Sequence, residues 1–172
     1  MPEKMVTVEI KKVQWLGNRT YEVVLENGGR RFSLYTGLCE GSAIVRLLRK
    51  EKTPHPVMHD LFLSTVKGLG GTIRSAVITE IKDEVFFGRL IIDQRLCDGG
   101  TFDCRPSDMI ALALIAGVPI EIVESVFNEA INTPLLLTTN DGSYGDEKAV
   151  EFFAAMPNIS HPLQLLKDVW GR

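Results

Sequence analysis

The chain has 172 residues, 45% of them hydrophobic and 24% charged. That composition excludes an intrinsically disordered chain and leaves room for one domain plus a small appendage. A net charge of −3 excludes a protein that coats duplex DNA with its whole surface, so nucleic acid would have to be met at a local basic patch or through metal ions.

Val6, Val8 and Ile10 alternate with polar residues, the period of a half-buried strand. A second alternating run covers Tyr21 to Leu25 and a third Arg31 to Tyr35, with Asn27-Gly28-Gly29 between them. Asn-Gly between two such runs predicts a hairpin, because both residues tolerate positive φ. Glu40 to Lys50 then sets Ala43, Ile44, Leu47 and Leu48 on one helical face and Arg46, Arg49 and Lys50 on the other. Thr53-Pro54-His55-Pro56 breaks this helix, and a second is expected over Val57 to Leu69, with Leu61, Thr65 and Leu69 spaced by four. Thr72 to Ile81, a turn at Lys82-Asp83-Glu84 and Val85 to Asp93 predict another hairpin. After a loop from Arg95 to Gly100, Thr101 to Cys104 reads as a short strand. Pro106 opens a strongly apolar helix closed by Gly117, with Pro and Gly at the ends that suit them. Pro119 to Val123 is a strand and Glu124 to Ala130 a short helix. Beyond Ile131 the chain turns rich in turn-formers, and 147–156 and 162–170 have the pattern of short amphipathic helices. The expected fold is α+β: a mixed or antiparallel sheet with hairpins packed against several helices, plus short C-terminal helices. The expected division is a domain over 1–131 and a linker with a helical appendage over 132–172.

Three cysteines, Cys39, Cys97 and Cys104, with no CxxC pair, argue against a disulfide framework or a structural zinc site. The longest apolar run, Met109 to Val118, is too short to span a bilayer, and no signal-peptide pattern is visible at the start. The cytoplasm is the expected location, with no membrane partner. No P-loop, dinucleotide fingerprint, HExxH or GxSxG is present.

Three polar clusters remain. Asp103-Cys104-Arg105-Pro106-Ser107-Asp108 brings two carboxylates and a guanidinium to a helix start. Carboxylates there can hold Mg²⁺ or Mn²⁺, and Arg105 offers a fork for phosphate. Equally, Ser107 or Asp108 can cap the helix while Arg105 pairs with an acid to hold the junction. His59-Asp60 can supply a general base or a metal ligand, or a capping pair. Glu40, with Arg46 on the same helix, can be a metal ligand or a first-turn acid that favours the helix. Arg46, Arg49, Lys50 and Lys52 form a basic run able to track a phosphate backbone or simply to solubilise the surface. A guanidinium beside Cys104 could lower its thiol pKa, although no His partner is near in sequence.

In order, Gly37-x-x-Glu40-x-x-Ala43-Ile44, Pro56-x-x-His59-Asp60-Leu61, Phe102-Asp103-Cys104-Arg105-Pro106-Ser107-Asp108-x-Ile110-Ala111-Leu112-Ala113 and Pro119-Ile120 resemble the bifunctional nuclease domain over roughly 5–130. His55 stands where that family often carries Arg. The resemblance implies self-association, a dimer being favoured, and metal-dependent cleavage of RNA and DNA with little sequence preference. Its motif positions here are Glu40, His59, Asp60, Asp103, Arg105, Ser107 and Asp108. The resulting expectation is a nuclease acting on single-stranded or flexible nucleic acid. Its catalytic set is Asp108, Asp103, Arg105, His59 and Glu40, with Mg²⁺ or Mn²⁺ held by Asp103, Asp108, Asp60 and Glu40. The alternative is a non-catalytic interaction module whose acidic and Arg cluster is structural.

Overall fold

The computed structural model describes residues 3–83, 85–94 and 99–132. These run through β1 (Met5–Gly17), β2 (Thr20–Asn27), β3 (Arg30–Gly37), α1 (Leu38–Leu48), α2 (Met58–Gly68), β4 (Gly71–Lys82), β5 (Val85–Gln94), β6 (Gly100–Cys104), α3 (Pro106–Ala116), β7 (Ile120–Val123) and α4 (Glu124–Asn132). The strands make one mixed sheet in the order β3-β2-β1-β7-β4-β5-β6, the α+β arrangement the sequence predicts. Every neighbouring pair is antiparallel except β4 and β7, which run parallel through Ala76↔Ile120 to Ile78↔Ile122. The chain divides into Met1–Leu135 and Leu136–Arg172, and the described residues lie in the first unit. The two amphipathic segments expected at 147–156 and 162–170, and Cys97, fall outside the described residues.

Gly28 and Gly29 form the β2–β3 turn at φ +55° and +81°, with Asn27 paired to Arg30. The two-residue loop is therefore Gly-Gly, one position later than Asn-Gly. A second hairpin, β1–β2, turns at Asn18 and Arg19, also at positive φ (46° and 61°). β1 is 13 residues long and carries irregularities between Ile10 and Lys12 and between Trp15 and Gly17. Its first part pairs β7 and its later part β2. Of the alternating residues, Val6 and Val8 pair with β7, while Ile10 already pairs with Leu25 of β2.

The core is built around α3, in which Met109 to Ala113 are all buried. Burial of each large apolar side chain there stabilises by roughly 1.5–3 kcal/mol. α3 packs on β4 and β5 and touches both α1 and α2. Two close approaches need glycine. A Cβ at Gly88 of β5 would lie 2.8 Å from Met109 Sδ, and one at Gly41 of α1 2.3 Å from the Tyr21 ring. Phe32, Phe86 and Phe127 meet with centroids 5.6 and 5.8 Å apart, which ties β3 to β5 and α4. Arg30 lies over Phe127 at 4.8 Å, a cation–π contact at the rim of this group.

Two helical faces differ from expectation. Ile44 of α1 is buried as the pattern predicts, but Leu48 is exposed at the helix end and Arg46 is largely covered. In α2 the row Leu61, Thr65 and Leu69 points outward and Leu63 points in. Both rows of α2 are apolar, so spacing alone does not choose between them; α3, packed on the other side, does.

Candidate functional site at the starts of three helices

Helices α1, α2 and α3 each carry an acid at their third residue: Glu40, Asp60 and Asp108. That is the favoured place for a carboxylate, since unpaired N–H groups and the positive dipole end lie there. The spacing has a local use in α2, where Val57 N donates to Asp60 Oδ2 at 3.0 Å. In α1 the Glu40 carboxylate folds back over Gly37, and a Cβ there would lie 2.9 Å from Glu40 Oε2. In α3 the N-cap is Arg105 itself, with no side-chain cap hydrogen bond, so neither Ser107 nor Asp108 caps this helix. Pro106 at the first position removes one N–H that would otherwise need an acceptor.

Arg105 joins two of these starts. Its Nη2 lies 2.8 Å from Glu40 Oε1, and its Nε donates to Asp108 Oδ2 at 2.9 Å. The hydrogen bond to Asp108 first, and Glu40 next, raise the guanidinium pKa above its usual value, so it is cationic at every working pH. The third start joins through His59, whose Nε2 lies 3.7 Å from Asp108 Oδ1. That separation is longer than a hydrogen bond. The result is a chain Glu40–Arg105–Asp108–His59 drawn from three helices that are distant in sequence. Glu40 and His59 are mostly covered, with side chains 18% and 15% exposed, while Arg105 is 67% exposed. The guanidinium is the member that faces solvent.

The other two expected carboxylates stand apart. Asp60 turns to Arg46 Nη2 at 3.4 Å. Asp103 lies on the edge strand β6 opposite Arg89 of β5, whose Nε donates to it at 3.0 Å, and its side chain is 87% exposed. Ser107 is half-buried beside this chain of groups. Arg89 was not flagged by the sequence; only the β5–β6 register, Arg89↔Asp103, places it there. Cys104 is set between two carboxylates rather than activated by Arg105. Burial first, then Asp108 and Asp103, push its thiol pKa up to about 11, which makes it a poor nucleophile.

A divalent Mg²⁺ or Mn²⁺ needs several hard oxygen ligands around one point. Among the described residues no three His, Cys, Asp or Glu side chains gather in that way. The position between Glu40 and Asp108 is taken by the Arg105 guanidinium, a cation already in place. In this arrangement the described residues do not form a shell for the ion.

A family model described as the bifunctional nuclease domain matches residues 23–133, well over half of the chain. The chain belongs to the bifunctional nuclease domain family. Two relatives, the uncharacterized proteins MT1877 and Rv1829 of two Mycobacterium tuberculosis strains, are each 32% identical over 104 residues. The match covers 60% of this chain and 61% of each relative, so the chain spans about three fifths of their length. Among the described residues no helix is long and apolar enough to cross a membrane.

Proposed function

We propose that the chain is a nuclease whose reactive centre is the Glu40–Arg105–Asp108–His59 chain, with flexible RNA as the substrate its own residues handle best. The observation that carries the proposal is an exposed guanidinium held in place by two carboxylates, one of which also faces an imidazole. Arg105 contacts a non-bridging phosphate oxygen and stabilises the charge that grows there. His59, oriented through Nε2 by Asp108, takes a proton at Nδ1 from the ribose 2′-hydroxyl. The O2′–P bond forms as the P–O5′ bond breaks, and the departing O5′ takes a proton from water. The 3.7 Å separation of His59 and Asp108 tightens as substrate closes the site. DNA lacks the 2′-hydroxyl, so its cleavage requires an activated water and is the slower reaction.

The test is cleavage of end-labelled RNA and DNA oligonucleotides by the full chain, in Mg²⁺, in Mn²⁺ and in chelator. Expected are 2′,3′-cyclic phosphate ends on RNA and activity that persists without a divalent ion. Activity confined to Mg²⁺ or Mn²⁺ would overturn the metal-free route and favour the metal-dependent expectation, in which carboxylates hold the ion and Arg105 contacts the phosphate. A second reading, a non-catalytic interaction module, draws on the internal balance of these charges: Arg105 is matched by acids, and Arg89 by Asp103. No cleavage of either polymer under any of the three conditions selects that reading.

A further inference from the structure

Beside the reactive centre, on the other side of the first turn of α2, lies an open groove of about 400 Å³. It is lined by Arg46, Leu47, Lys50, Lys52, Pro56 and Asp60, among others. The volume is within the range of small-ligand sites, roughly 300–1,000 Å³. His59 and Asp60 are consecutive, so one turn of backbone presents one side chain to the reactive chain and the next to the groove.

The charges in the groove are unequal. Asp60 is neutralised by Arg46, and Glu51 lies 3.6 Å from Arg49. Arg46 is itself incompletely satisfied, since its Nε is enclosed without a hydrogen-bond partner. Lys50 and Lys52, in contrast, are exposed and take part in no ion pair among the described residues. The left-handed backbone of Lys50 (φ +54°), where α1 has ended, directs the chain into Glu51 and Lys52 along the groove. A protein of net charge −3 thus keeps two ammonium groups, unpaired among the described residues, in a groove that shares the first turn of α2 with the reactive chain.

We infer that this groove binds the backbone phosphate of the nucleotide flanking the cleaved bond, with Lys50 and Lys52 as its cationic contacts. The inference rests on the nuclease reading above and extends it to substrate length. A strand gripped at Arg105 continues past the first turn of α2 into the groove, so a substrate with a phosphate on that side binds more tightly than a dinucleotide. Contact through ammonium point charges is independent of base identity, which suits low sequence preference.

The test removes charge and keeps the side-chain stems. Binding of a fluorescein-labelled RNA 12-mer to Lys50→Gln/Lys52→Gln is followed by anisotropy as salt is varied, with cleavage measured in parallel. For single strands each lost phosphate contact lowers the slope of log K against log salt by about 0.7. The double variant is expected to lose about 1.4 from the slope and to raise Kd and KM for the 12-mer about tenfold. Lys12→Gln/Lys67→Gln, which removes two exposed lysines elsewhere, leaves the slope in place. An unchanged slope in the groove variant overturns the inference; if Arg105→Met still abolishes cleavage, the nuclease reading stands without it. Competition by polyglutamate as effective as by unlabelled RNA also overturns it, because the site would then prefer carboxylate to phosphate. Binding with the expected slope loss but no cleavage by the unaltered protein supports the groove and overturns the nuclease reading.

Discussion

Arg105→Met is the substitution that separates bracing from chemistry. It keeps most of the side-chain length and removes two ion pairs, to Glu40 at 2.8 Å and to Asp108 at 2.9 Å. An exposed pair contributes about 0.2–1 kcal/mol. These fall toward the upper end, because Glu40 is 18% and Asp108 31% exposed, whereas Arg105 itself is largely solvated. The expected loss is about 1–2 kcal/mol, or roughly 3–10 °C in Tm for a unit of this size. Removing a donor that stabilises transition-state charge costs about 10²–10³ in kcat. Arg105→Lys restores positive charge but not the planar fork that spans two carboxylates. It should recover part of the stability while staying at least tenfold down in cleavage. Thermal melts by circular dichroism and single-turnover cleavage of a labelled RNA provide the two readouts. If Arg105→Met melts lower yet cleaves within threefold of the unaltered protein, Arg105 is a brace and the proposed chemistry is wrong.

Asp103→Asn removes an acid that is 87% exposed and, among the described residues, paired only with Arg89; stability should stay within about 0.5 kcal/mol and cleavage within a factor of two, and a large loss of cleavage would return Asp103 to the reactive centre. Cys104, with a thiol raised to about 11 from 9.0, binds its proton more tightly folded than unfolded. Its contribution to stability is therefore complete below about pH 9 and lost as pH rises through 11, and Cys104→Ser should flatten that alkaline decline in chemical denaturation. Gly41→Ala drives a methyl to 2.3 Å from the Tyr21 ring; overpacking of this kind costs about 1–3 kcal/mol, and an unchanged denaturation midpoint would show that α1 can shift away at no cost.

Much of the architecture was legible because local chemistry and tertiary packing agree. The Gly28-Gly29 turn, the Pro106 start and the Gly117 end of α3 are each marked by residues with one strong backbone preference. Gly117 sits at φ +70° and Val118 N donates to Ala113 O, as that ending requires. The β1–β2 hairpin was missed because Arg19 is an unusual occupant of a left-handed position. Strand order was not legible, since β7 enters between β1 and β4 only after three helices have been laid down. The same limit applies to the site. Residue types picked out Glu40, His59, Arg105 and Asp108, but also Asp60 and Asp103, which chain proximity groups with them. His59 and Asp60 are neighbours in sequence and face different partners, because consecutive helical residues point about 100° apart. Asp103 is two residues from Arg105, yet it lies on a strand facing β5 while Arg105 has turned into α3. The sequence supplies the ingredients of a charge cluster; helix phase and strand register decide which of them meet.

Asp108 is the hinge of the proposed mechanism, because it is the one residue that addresses both functional neighbours: Oδ2 accepts from Arg105 Nε, and Oδ1 faces His59 Nε2. The Asp108→Asn variant keeps the shape and leaves a single acceptor oxygen. Arg105, a permanent donor, takes that oxygen. The amide NH₂ then points at His59 Nε2 and favours the tautomer in which Nε2 accepts and Nδ1 carries the proton. That tautomer cannot take a proton at Nδ1, so the base is disabled while the packing is nearly unchanged. The expected outcome is a kcat loss on the order of 10³–10⁴, the scale seen when an orienting acid next to a catalytic His becomes an amide, with KM within a few fold. Stability should fall by no more than about 1 kcal/mol, since Asp108 is partly exposed and its hydrogen bond from Arg105 survives. ¹⁵N chemical shifts of the His59 ring report the tautomer directly and would not move if Asp108 merely braced the helix start. Loss of activity without a tautomer change would assign Asp108 to phosphate positioning through Arg105, and activity within tenfold of the unaltered protein would remove His59 as the base.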